Sequence, residues 1–279
     1  MAIVLALGAA AFYGSSDFMG AVATRRSAAL AVAFLAQVAG LGVLIAVLPL
    51  LGPASVQPFD LAVGALAGIF GGLGVVLVFQ VLSRGPMSVA APTSALAASA
   101  VPILAGLVGG ERPGPSAAVG ILVAFVAVTL ISREQSETAA PLRASLGRIL
   151  PALGAGSVLG LFFVFLHLSG DGAGLWPLLA ARTTSVPVLA ALLVARRTTV
   201  PRDRSLLVPV LISGVLDMAA NVLFLLASRQ GMLAVVAALT GLYPAATIVL
   251  ARTRLGERMQ PVQFAGLGAA VIAAAMVAG

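Results

Sequence analysis

The chain has 279 residues, of which 61% are hydrophobic and only 9% charged, and its formal net charge is +7. Its mean hydropathy is +1.13, which excludes an ordinary soluble domain. The positive charge does not point to nucleic acid, because all sixteen basic residues are arginines placed almost entirely in short connections between apolar runs. The chain contains no cysteine, which rules out disulfides and thiolate metal sites.

The apolar runs are mostly about 18–25 residues long, near the length a helix needs to cross a ~30 Å hydrocarbon core. In chain order they predict ten spans. The first half gives Ala2–Thr24, Ser27–Leu51, Leu61–Ser83, Met87–Gly109 and Pro115–Ser132. The second gives Gly147–Ser169, Ala173–Ala195, Ser205–Ser228, Met232–Ala251 and Pro261–Ala278. Thirty-one glycines would weaken soluble helices but suit membrane ones, where small residues let backbones approach. Ala21-Val22-Ala23 resembles a signal-peptide cleavage site, but no positive region precedes the first span, which is therefore read as retained.

A repeat runs through these spans. Gly110-Glu111-Arg112, Pro115 and Gly120 recur as Gly256-Glu257-Arg258, Pro261 and Gly266, each 146 positions on. Gly85 and Gly231, Leu96 and Leu242, and Leu7-Gly8-Ala9 and Leu153-Gly154-Ala155 keep the same offset, as do Gly14 and Gly160. An ungapped offset over the whole length marks an internal duplication. The first copy is placed at residues 1–138, the linker at 139–146 and the second copy at 147–279. The polar stretch from Arg133 to Arg148 between the copies is too short to be a domain. Five spans is an odd number, so the second copy must enter the membrane from the opposite side. The predicted fold class is an all-α membrane protein, ten transmembrane helices forming two inverted five-helix repeats. In that architecture, secondary transporters hold a substrate site at the repeat interface.

Arginine placement predicts the orientation. Connections after odd-numbered spans hold thirteen arginines, while those after even-numbered spans hold Arg112 and Arg229 alone. The positive-inside rule then puts the odd connections in the cytoplasm and both termini outside an inner (cell) membrane. Pro115, Pro151 and Pro261 fall at or near helix starts, where a missing N–H costs nothing. Pro92, Pro102, Pro187, Pro209 and Pro244 fall inside spans and should free carbonyls or kink helices. Gly64, Gly68 and Gly72 share a face, as do Gly156 and Gly160, and both sets are read as close-packing faces.

The duplicated Gly-Glu-Arg hairpins, the approach Gly241-Leu242-Tyr243-Pro244 to the second of them, and the five-plus-five layout resemble the drug/metabolite transporter superfamily. The resemblance is to its ten-helix branch built from two EamA-type domains, and it covers essentially the whole chain. It implies a secondary carrier, often an exporter of amino acids, metabolites or drugs. One departure is the orientation: members of this branch often have cytoplasmic termini, whereas the arginines here predict the reverse.

Ionisable residues inside spans are candidates for function, because charge in lipid is costly. Asp17 shares a helical face with Tyr13, Ser16 and Gly20, roughly 6 Å from the midplane. Small multidrug carriers of the same superfamily also place an acid in their first helix, where proton and cation compete for it. Asp17 is read either as a coupling or substrate residue or as a structural partner of a neighbouring helix. Asp217 and Asn221 share a face of the eighth span, and Arg182 stands near the middle of the seventh beside Thr183 and Thr184. Arg182 and Asp217 form a structural pair, or else Arg182 binds a substrate carboxylate or phosphate. Gln37, Gln80, Thr240, Tyr243 and Thr247 are lesser candidates, the last three on one face of the ninth span beside Pro244. Glu111-Arg112 and Glu257-Arg258 are read as interfacial anchors and helix-end charges. His167, the sole histidine, is read as a satisfied polar contact.

With no lysine, a phosphate-binding P-loop is impossible. One histidine and no cysteine leave no zinc motif. Ser157 and His167 lie about 15 Å apart along one helix, too far to act as a hydrolase pair. The expected protein is a transporter and not an enzyme, using no cofactor and no metal. Its expected partners are a small-molecule substrate, protons and the lipid bilayer. An intramembrane enzyme or a non-transporting scaffold is the alternative.

Overall fold

Backbone polar groups inside lipid must be satisfied within the chain, so apolar runs of this length have little choice but to be helical. The computed structural model describes residues 1–50, 54–84, 87–131, 142–255 and 260–278, and among them there is no strand. The helices are α1 (Ala2–Thr24), α2 (Ala29–Val47), α3 (Pro58–Arg84), α4 (Met87–Val108), α5 (Pro115–Ile131) and α6 (Leu142–His167). They continue as α7 (Trp176–Ala195), α8 (Arg204–Ser228), α9 (Leu233–Thr240), α10 (Tyr243–Leu255) and α11 (Pro261–Ala278). Short 3-10 turns occupy Leu48–Leu50 and Asp171–Ala173. Seven segments among the described residues are long and apolar enough to cross a membrane, Leu233–Leu250 counting as one. Three shorter apolar helices are Thr93–Val108, Pro115–Ile131 and Pro261–Val277. The chain is a multi-pass membrane protein.

Pro115 and Pro261 open α5 and α11 as expected, and Pro187 and Pro209 lie inside α7 and α8. Two expectations are corrected. Pro151 is inside α6, which begins at Leu142 and so takes in part of the polar stretch read as linker. The ninth span is two helices, interrupted at Gly241–Leu242. Gly241 closes α9 with its N–H on the carbonyls of Ala237 and Leu239. Pro244 has no N–H to return to Thr240, so the ladder cannot run through. The equivalent stretch of α4, Ala95-Leu96-Ala97-Ala98, has neither glycine nor proline and stays helical. Gly241, Leu242 and Tyr243 are all buried in protein, a setting in which interrupted backbone is tolerated at membrane depth.

The packing is reciprocal between the copies. Helix α1 lies along α8, and α6 along α3; α3 lies on α7, and α8 on α2; α5 and α11 pair with each other. Several of the close approaches are made by glycines that match at the 146-residue offset. A Cβ at Gly68 would run into the backbone of Ala181, and one at Gly214 into that of Ala36. Gly14 seats α1 against Tyr243, Ala246 and Thr247, while Gly160 seats α6 against Ala98 and Val101. Gly120 meets Ala273, Met276 and Val277, and Gly266 meets Leu130 and Ile131. The packing role expected of Gly64, Gly68, Gly72, Gly156 and Gly160 is the one they have.

Candidate functional site

The glycine seams draw α1, α7 and α8 together, and the polar residues on those helices meet. The close passage of α3 along α7 at Gly64, Gly68 and Gly72 fixes the turn of α7 that carries Arg182. The guanidinium of Arg182 donates to Asp217 Oδ2 on α8. Their side chains are 6% and 21% exposed. Of the two readings of Arg182, the ion pair with Asp217 is therefore formed. Removing one member of a buried pair leaves the other charge uncompensated, a loss of about 3–5 kcal/mol.

The pair extends into a chain of hydrogen bonds. Asn221 Nδ2 donates to Asp217 Oδ2 at 3.0 Å and to the Asp217 carbonyl at 2.6 Å. Its Oδ1 accepts from the Tyr13 hydroxyl at 2.8 Å, which ties α1 of the first copy to α8 of the second. One turn further along the same helices, Ser16 Oγ donates to the Ser213 carbonyl and Ser213 Oγ to the Ser16 carbonyl, both at 2.9 Å. Gln37 of α2 is buried and accepts from Ser185 Oγ of α7 at 3.1 Å. Each of these groups has a partner, as low dielectric demands, and the Tyr13–Asn221, Ser16–Ser213 and Gln37–Ser185 contacts cross the boundary between the copies.

Asp17 differs. It is half-buried in α1, one turn beyond Tyr13, and among the described residues no hydrogen bond or ion pair holds its carboxylate. The Asp217 carboxylate is close enough to act on it electrostatically, and Asp17 acts on Tyr243 in the same way. The hydroxyl of Tyr243 is hydrogen-bonded with Ser94 of α4. The Thr247 hydroxyl donates to the Gly14 carbonyl at 3.0 Å, pinning α10 to α1 just before the polar cluster. On the other side Tyr13 stands edge-on to Phe163, with ring centres 5.7 Å apart, and Phe163 packs against Phe162 and Phe224. The arrangement is an acid beside a satisfied polar chain, with aromatic rings against that chain.

The sequence candidates thus divide. Tyr13, Ser16, Asp17, Arg182, Asp217 and Asn221 come together, with Gln37 attached through Ser185 and Tyr243 reached by the charge of Asp17. Thr183 does not join them, because it is exposed and bonds back to Leu179 and Ala180 of its own helix. Gln80 is half-buried at the far end of α3. Thr240 does not share a helical face with Tyr243 and Thr247, since the break separates α9 from α10. Its hydroxyl is buried and has no partner among the described residues. The Nδ1 of His167 is in the same condition, which corrects the reading of a satisfied contact. Ser185 and Ser213 were passed over in the sequence, although each falls on the face already marked, three residues after Arg182 and four before Asp217.

The hairpin residues also find a place. Gly110, at φ 95°, needs the left-handed freedom of glycine and turns the chain after α4. Glu111 then accepts from the Leu233 and Ala234 amides at the start of α9, at 2.5 and 2.8 Å. It is a helix-end charge, as expected, but for a helix of the other copy. Arg112 is exposed. Glu257 and Arg258 lie outside the described residues.

No curated protein matches the chain. One solved crystal structure superposes on 99% of it with a TM-score of 0.80, covering 95% of that structure's own chain at 15% identity, a likeness of fold. The EamA-like transporter family matches twice, over residues 1–133 and again over 146–279. The two matches fall on the two copies whose glycine seams answer each other, and with all but the central connection accounted for, the chain belongs to the EamA-like transporter family.

Proposed function

We propose that this protein is a secondary active transporter that exports small metabolites, amino acids or drugs by alternating access, with Asp17 coupling export to protons. In this reading ten helices cross the inner membrane. The copies are inverted about an axis in the membrane plane, and both termini face outward. Reciprocal packing of α1 on α8 and of α6 on α3 supports two bundles that can exchange roles. The substrate passes between the copies, beside the polar chain from Tyr13 to Arg182.

The observation that carries the coupling is Asp17 itself. It is an acid in a membrane-spanning helix, left without a hydrogen-bond or ion-pair partner among the described residues, while Tyr13, Ser16, Arg182, Asp217 and Asn221 each have one. A carboxylate in that position is costly unless a proton or a cationic group neutralises it. Proton binding and substrate binding at one carboxylate exclude each other, which is enough to couple two gradients. Arg182 is occupied by Asp217 and acts as a brace between α7 and α8 rather than as an anion receptor. The test is Asp17→Asn in proteoliposomes driven by a pH jump. The variant should fold to normal yield and lose proton-driven transport of the solutes the parent moves; intact transport would end the coupling idea.

A further inference from the structure

On the arginine-poor face of the molecule, hydrogen bonds tie the two copies together. Ser55, before α3, donates its N–H to the Gly172 carbonyl in the α6–α7 connection at 2.9 Å. Asp60, in the first turn of α3, accepts from Gln57 N at 2.8 Å and from Gly170 N of the other copy at 2.7 Å. Arg229 braces that same connection by donating to the Gly170 and Gly174 carbonyls at 3.0 and 2.9 Å. Glu111 makes the third tie, to the first turn of α9.

The Glu111 tie has a property that the others lack. Helix α9 supplies no side-chain cap of its own, since Met232 stands at its N-cap, and Glu111 of the opposite copy satisfies two of its first-turn donors instead. A carboxylate at a helix N-terminus makes strong, charge-assisted bonds to those donors. The helix held in this way is eight residues long and is separated from α10 by the break at Gly241–Leu242. Glu111 is itself only half-buried, so water can take up its carboxylate when it leaves; Leu233 and Ala234, whose amides it holds, are buried. Beneath it, Gly106 leaves room for the carboxyl, which any Cβ at that position would displace.

We propose that Glu111 is a releasable latch: its carboxylate holds α9 in the closed position at the arginine-poor face, and its withdrawal lets α9 swing about Gly241–Leu242 to open that face. The proposal rests on the alternating-access reading, which gives the opening its purpose, but the latch can be tested without transport. The chain has no cysteine, so a single Ala237→Cys, buried one turn below the latch, reports opening through its labelling by a membrane-impermeant maleimide. The reagent is applied separately to right-side-out and inverted vesicles.

Glu111→Ala should raise the labelling rate by about tenfold, the order of factor that loss of a charge-assisted hydrogen bond produces. The rise should appear only from the face that carries Arg112. Glu111→Gln, which keeps one acceptor, should give a smaller rise in the same direction and serves if the alanine variant does not fold. A rate unchanged within twofold in the folded variants, or a rise from both faces alike, would overturn the latch and leave Glu111 a static cap. Faster labelling in a protein that moves no solute would uphold the latch and remove the transport reading instead.

Discussion

At the same register, α1 carries Tyr13, Ser16 and Asp17 where α6 carries Leu159, Phe162 and Phe163. Both helices nevertheless press a glycine, Gly14 or Gly160, onto the opposite copy. The glycines agree because each seam brings two backbones too close for any side chain, a demand that the fold makes twice. The polar face does not agree: one of the two equivalent surfaces is polar and the other apolar. Phe163 packs on Tyr13, Phe162 and Phe224, while Asp17 lies within electrostatic reach of Asp217 and Tyr243. Symmetry here reports architecture, and its failure falls on the residues proposed to carry transport.

The comparison is broken most severely at Arg182. Arg182→Ala should destabilise by about 3–5 kcal/mol, because Asp217 is left buried and unpaired; thermal unfolding in detergent measures it. Arg182→Ala/Asp217→Ala should recover much of that loss, whereas Ala36→Ser, at the equivalent place in the first copy, should cost little. A double variant as unstable as the single one would contradict a closed pair. The seams give the next effect. Gly68→Val and Gly214→Val should each cost roughly 1–3 kcal/mol or more through overpacking, and by similar amounts, since each glycine lies on the backbone of the opposite copy. Markedly unequal losses would mean that the seams are alike in sequence only. The smallest effect is at Tyr13. Tyr13→Phe removes one hydrogen bond to Asn221, about 1 kcal/mol, and should change transport more than stability if the substrate passes beside the polar chain.

Much of this was legible in the residues. The duplication and the packing glycines follow from rules of spacing, and the Arg182–Asp217 pair is one of two readings that charge in lipid allows; each is present. Thr183 misled because adjacency to Arg182 in sequence turns a side chain about 100° round the helix, here to an exposed face. Thr240 misled because a common face was assumed across Pro244, and the interruption ends that periodicity. The partnership of Glu111 with Leu233 and Ala234 was not readable, since nothing local to either stretch indicates which helix end a hairpin carboxylate will meet. Ser185 and Ser213 could have been found by carrying the face of Arg182 or Asp217 one more turn along its helix.

The interrupted ninth helix bears on how the protein is made. Eight residues of α9 extend about 12 Å and thirteen of α10 about 20 Å, so neither half alone covers a ~30 Å core. A nascent segment from Leu233 to Leu250 would enter lipid most cheaply as one unbroken rod, with Pro244 a local kink. Its two-part shape becomes affordable only where protein covers Gly241–Leu242, and the covering helices, α1 and α4, are synthesised first. The joint therefore belongs to assembly rather than to insertion: the earlier copy is the mould in which the later one is broken.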